Sequence, residues 1–314
     1  MNKTVLKCVV LLLAIEVLFA CSSGRGSSNN DSLNYSSLNY ASLNYSDYTG
    51  PFIQAFEFSR NLVTDNDPSA LVGVTYLDQI DWVMPDSRSD TLNLVSAFRF
   101  IADYETTSIE ILVNPEFGDQ ATAEVEARYY AEVIGRIPLF LRDGINNGVS
   151  FMYLHQGFEP LVGNQNYLAI YIDRARQLDA QGILEEVLIH ESAHVSLDAD
   201  LAGSSEWLSA QSLDGNTISQ LAYDLGNDED AAETVLAYIA AQYKSNRLSA
   251  TVEDRIRATI PNRIDYFNSR AFTMNPIVLD LPGAWDNATA LTSFFQHPSL
   301  FAYYAQWEQT VIIF

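Results

Sequence analysis

Cysteine, histidine and basic residues are all scarce in this chain, and each scarcity excludes something. The 314 residues hold 2 cysteines, Cys8 and Cys21. Cys8 falls in a leading segment expected to be removed, which leaves one thiol and no internal disulfide. A disulfide-stapled fold is therefore excluded, and an exported domain of this kind relies on its core or on a bound metal. Lys and Arg total 17 against 40 Asp and Glu, for a formal net charge of −23. Losing residues 1–20 removes Lys3, Lys7 and Glu16 and leaves −24. Such acidity argues against nucleic acid, or an anionic lipid surface, as a partner bound by charge. A well-solvated surface explains it without any cationic substrate. Apolar residues are not scarce: 48% of the chain is hydrophobic, ample for a sizeable core. Of the 4 histidines, two stand in one stretch of five residues, His190-Glu191-Ser192-Ala193-His194.

The start of the chain reads as an address. Lys3 and Lys7 precede an apolar run from Val9 to Ala20, interrupted by Glu16. The run is too short for a comfortable membrane span, so residues 1–20 are expected to be a secretory signal. Leu18-Phe19-Ala20-Cys21 resembles a bacterial lipobox. That resemblance implies cleavage before Cys21, lipidation of its thiol and attachment to a membrane through the lipid. Ser22 and Ser23 follow without an aspartate, which in that pattern favours the outer membrane of the cell envelope. Residues 21–50 then read as a tether. Ser32-Leu33-Asn34-Tyr35-Ser36 recurs as Ser37-Leu38-Asn39-Tyr40-Ala41 and Ser42-Leu43-Asn44-Tyr45-Ser46. A period of five matches neither a helix face nor a strand face, so the block buries no stripe. A flexible linker of this length spans ~30 Å, enough to hold a domain clear of lipid headgroups.

The remainder suits one large domain or a main domain with an attached subdomain. We expect an α+β fold, with residues 51–118 an N-terminal subdomain or extension and 119–314 the main domain. Leu71–Tyr76 and Ile109–Val113 read as strands, with turns at Asp65–Pro68 and Met84–Ser87. Ala121 to Leu141 reads as a helix bent or broken by Pro138. Val149–Leu154 and Tyr167–Ile172 read as strands separated by a loop through Gly157 and Gly163. Gln181 to Leu197 reads as the next helix: it lacks proline, and Ile183, Val187, His190 and His194 form one stripe at helical spacing.

That stripe carries the chemistry. Residues four apart share one helix face, so His190 and His194 can offer imidazole nitrogens to one metal ion. Glu191 points off that face, where it can take a proton from water at the metal instead of binding the metal itself. A site of this kind needs a third protein ligand. His155, which closes a strand, and His297, beside Pro298, read as structural. Farther on, Gly226-Asn227-Asp228 supplies a turn before a second helix, Glu229 to about Lys244. Glu229 and Glu233 lie four apart on one face of it. One can ligate while the other supports a ligand histidine from behind. Asp198, one turn beyond His194, is a further candidate partner for a ligand histidine or a solvated helix end.

His190-Glu191-Ser192-Ala193-His194 matches the H-E-x-x-H motif of zinc metallopeptidases. The order helix, strand, loop, strand, motif helix resembles the upper half of the zincin fold. A mixed sheet and an active-site helix are thus implied, with an edge strand lining the substrate cleft. Leu197 stands where metzincins have a glycine, which demotes Asp200 as third ligand. Glu229-Asp230-Ala231-Ala232-Glu233 is similar to the E-x-x-A-E segment of gluzincin-type peptidases of the anthrax-lethal-factor-like kind. That resemblance implies Glu229 as third ligand to Zn2+ and Glu233 as its supporting carboxylate. It also implies an upstream tyrosine that steadies the oxyanion. Leu221 occupies that slot, and Tyr223, two residues on, is the substitute candidate. The expectation is a zinc-dependent hydrolase of peptide or protein substrates, with Glu191 as general base. The missing tyrosine keeps an alternative open: a catalytically inactive, zincin-fold binding lipoprotein of the cell envelope.

Overall fold

A computed structural model describes residues 48–86, 91–145, 151–164 and 167–278. The expected signal, the lipidation site Cys21, the pentad repeats and His297 lie outside them. Among the described residues, no helix is long and apolar enough to cross a membrane.

The architecture is α+β, built on one mixed six-stranded sheet in the order β1-β2-β3-β4-β6-β5. β1 (Leu71–Asp86) and β2 (Thr91–Tyr104) form a long antiparallel hairpin, and β3 (Ser108–Val113) pairs antiparallel to β2. β4 (Phe151–His155) lies parallel to β3, and β6 (Tyr167–Tyr171) lies parallel to β4. β5 (Val162–Asn164) returns antiparallel to β6 at the edge. A parallel β3–β4 pair requires a long crossover. The chain supplies it with α1 (Gln120–Gly135) and α2 (Leu139–Ile145), broken at Pro138 as the proline predicts. The expected boundary after residue 118 therefore falls within a continuous sheet: strands on both sides of it pair with one another.

Side chains alternate across the sheet, as the strand period dictates. On one face Phe98, Phe100, Ile109, Ile111, Met152, Leu154, Leu168 and Ile170 join the main core. That core also takes Ala127, Tyr130 and Ile134 of α1, among others. On the other face Met84, Ala97, Leu112, Tyr153, Ala169 and Tyr171 form a smaller cluster. Trp82 closes it by donating its indole N–H to the Tyr153 hydroxyl at 2.9 Å.

After β6 the chain makes α3 (Ile172–Ala180) and then α4 (Leu184–Leu197). Ile172, expected at the end of the strand, instead begins a helix, and the motif helix, expected from Gln181, starts at Leu184. The break between α3 and α4 is Gly182, whose φ of +68° suits glycine and stops helix propagation. α4 is buried on every side except at Ser196, so it runs through the interior and does not lie amphipathically on it. Beyond it come α5 (Ser205–Asp214), α6 (Gln220–Leu225) and α7 (Asn227–Tyr243). α8 (Ala250–Thr259) and α9 (Pro261–Ser269) follow. The N-terminal turn of α7 is held by Arg263 of α9. Its guanidinium donates to Asp230 at 2.8 Å and to Asp214 of α5 at 2.9 Å. All three of these side chains are buried, and the ion pairs satisfy charges that would be costly to bury alone.

Candidate metal centre

α4 and α7 cross so that His190, His194 and Glu229 meet in the interior. All three are buried, and one ligand atom from each falls within a sphere small enough for a single ion. The His190 Nε2 and His194 Nε2 atoms are 3.3 Å apart. Glu229 places one oxygen 3.1 Å from His190 Nε2 and the other 3.7 Å from His194 Nε2. Donors bound to one tetrahedral zinc at ~2.0 Å stand about 3.3 Å apart along each edge. The three observed separations bracket that value.

Each imidazole turns its other nitrogen to a carboxylate. His194 Nδ1 lies 3.1 Å from Asp198 Oδ2, one helical turn away along the same chain segment. His190 Nδ1 lies 3.4 Å from Glu233 Oε1, across from α7. A carboxylate behind a histidine fixes its ring and presents the opposite nitrogen's lone pair. Both Nε2 atoms are thereby directed at Glu229. Burial pulls the His194 imidazolium toward lower pKa, but Asp198 and Glu229 outweigh it and leave the group above its ordinary value. Several carboxylates buried beside two imidazoles are costly without a compensating charge. A divalent cation is such a charge, and the donor set fits one.

Glu191 is buried beside the trio but does not belong to it. Its carboxylate accepts the backbone N–H of Gly163, in edge strand β5, at 2.6 Å. Burial raises its pKa to about 7, against the lowering pull of His190 and His194. A carboxyl poised there exchanges protons near neutrality, which suits an acid–base group. Gly163 is required by space: a Cβ on it would sit 1.7 Å from the Glu191 carbonyl oxygen. Gly163, expected in a loop, sits in a short strand. A glycine inside the apolar Leu161-Val162-Gly163-Asn164 run is the signal that marks close backbone approach.

The other expected residues fall elsewhere. Tyr223 is 52% exposed, packs its ring against Tyr48 at 5.8 Å and lines a surface cavity with Gln211, Asp230 and Arg263. Leu221 is buried, and its N–H donates to Ile53 O at 3.0 Å. His155 is buried at the end of β4 and stacks on Tyr171 at 5.0 Å, outside the metal group. Compared with family models, with curated proteins and with solved structures, the chain shows no match.

Proposed function

We propose that the protein is a zinc-dependent peptidase, with His190, His194 and Glu229 holding the ion. The observation that carries this reading is the convergence of three donors at tetrahedral-edge spacing, with Glu191 alongside at a pKa near 7. Nitrogen and carboxylate donors in a buried cluster suit zinc, and three protein ligands leave a fourth position open. When bound, zinc acts as a Lewis acid that acidifies water and polarises a carbonyl. Glu191 is the general base: its carboxylate takes the proton of the attacking water and passes it to the leaving amine. The Gly163 amide orients that carboxylate. Asp198 holds His194 in the tautomer that presents Nε2, and Glu233 stands behind His190 at 3.4 Å.

The lipobox-like segment extends this reading to a lipid-anchored envelope protein acting on peptide or protein substrates. The test is cleavage of a proteome-derived peptide library, with and without chelator, beside Glu191→Gln. Metal-dependent cleavage abolished in the variant is expected, and unchanged turnover in that variant would remove the proposal. A second reading rests on Leu221 and on the exposed position of Tyr223: a metal-holding fold that binds without cutting. It predicts stoichiometric zinc and no metal-dependent cleavage.

A further inference from the structure

We propose that residues 52–63, the segment that enters the fold ahead of the sheet, position His190 of the metal centre. This rests on the zinc-site reading above. The segment touches both helices of the centre and the short helix before α7. Its first part runs beside the start of α6, with Gln220 N–H donating to Phe52 O at 2.9 Å. It then turns at Ala55–Glu57, where the Ala55 N–H donates to Glu233 Oε2 at 2.6 Å. The ring of Phe56 lies 5.7 Å from the His190 ring. Farther along, the Val63 N–H donates to Glu186 Oε1 at 2.9 Å, one turn before His190 on α4.

The two histidines are supported in different ways. Asp198 follows His194 by four residues, so helix geometry alone delivers it. Glu233 has two oxygens, and the Ala55 amide fixes one of them. The other is then left facing His190 Nδ1 at 3.4 Å. Without that amide the carboxylate is free to rotate, and His190 loses its orientation from behind. Phe56 packs its ring beside that of His190. Ala55 and Phe56 are both buried, so these contacts are shielded from water. His190 therefore depends on a backbone amide 178 residues from its carboxylate in sequence.

Proline at position 55 removes this one N–H. Gln54 has extended backbone, φ −153° and ψ 160°, which a following proline permits. The first position of a helical turn suits the fixed φ of proline. Zinc affinity of the full chain is measured by competition with a chromophoric chelator, beside melting of the metal-free protein. Ala55→Pro should weaken zinc about 10–100-fold, the usual cost of losing support behind a ligand. The metal-free melting temperature should change little, and Ala55→Gly, which keeps the N–H, should bind like the parent. A folded Ala55→Pro protein with parental affinity overturns the proposal, as does equal weakening by Ala55→Gly. If Ala55→Pro does not fold, Phe56→Leu carries the test, with a several-fold loss expected and parental affinity overturning it. A parent that binds no zinc overturns the zinc reading itself, a result separable from these.

Discussion

The backbone N–H of Gly163 donates to the carboxylate of Glu191 at 2.6 Å, and the same two residues touch again where the Gly163 Cα meets the Glu191 carbonyl. Edge strand β5 and helix α4 are thus in contact through main chain at the point where the proposed base sits. Gly163→Ala would force a methyl group to 1.7 Å from that carbonyl oxygen. Overpacking of this kind costs about 1–3 kcal/mol. The expected outcome is a fall of several degrees in melting temperature, together with loss of cleavage, because the base is displaced. A thermal melt and a peptide assay on one preparation check both.

Removing a ligand differs from removing the support behind one. Glu229→Ala takes away one of three donors, so metal content after dialysis should drop from one per chain to near zero. Glu233→Ala leaves the donors in place and should weaken binding about 10–100-fold. Metal analysis of both variants ranks them, and near-zero metal in Glu233→Ala with full metal in Glu229→Ala would exchange their roles.

Much of this could be read in the sequence, and the limits are physical. His190, His194 and Glu191 are legible because their relation is local, fixed by helical spacing. Glu229 is legible because a turn and an acidic pair mark the start of α7. The long β2 strand was missed, because it buries Val95 and Ala97 toward one cluster and Phe98 and Phe100 toward the other, which blurs the alternation. β5 is only three residues long, too short to show a period. The amides of Ala55 and Val63 carry no signature at all. Every residue except proline has such a donor, and only the fold decides which carboxylate it meets.

Tyr223→Phe tests the exposed placement of Tyr223 directly. A side chain 52% exposed should be dispensable, so cleavage is expected to stay within about twofold of the parent. A loss of 10²-fold or more, the scale of a deleted oxyanion donor, would return Tyr223 to the mechanism.

Glu186 gives the fold a pH dependence of definite sign. Burial raises its pKa from the ordinary 4.5 to about 8, against the pull of the Val63 amide. In the unfolded chain it ionises near 4.5, whereas in the folded chain it keeps its proton until about pH 8. Ionisation therefore favours unfolding, and its cost grows as pH rises through that window. Glu186→Gln keeps an acceptor for the Val63 N–H and cannot ionise. Its melting temperature should gain on the parent between pH 5 and 8 and level off above. Parallel melting curves at every pH would show that this carboxyl does not titrate as its burial implies.

The full burial of α4 has a consequence for when the protein opens. Amides of an enclosed helix exchange with solvent only through large-scale unfolding, whereas those of edge strand β5 exchange through local fraying. Two candidate donors and the proposed base thus ride on a slowly exchanging part of the molecule, while the strand beside the proposed base lies at the sheet edge. Deuterium uptake across β5 and α4 would record that contrast as two clocks running side by side at one candidate metal centre.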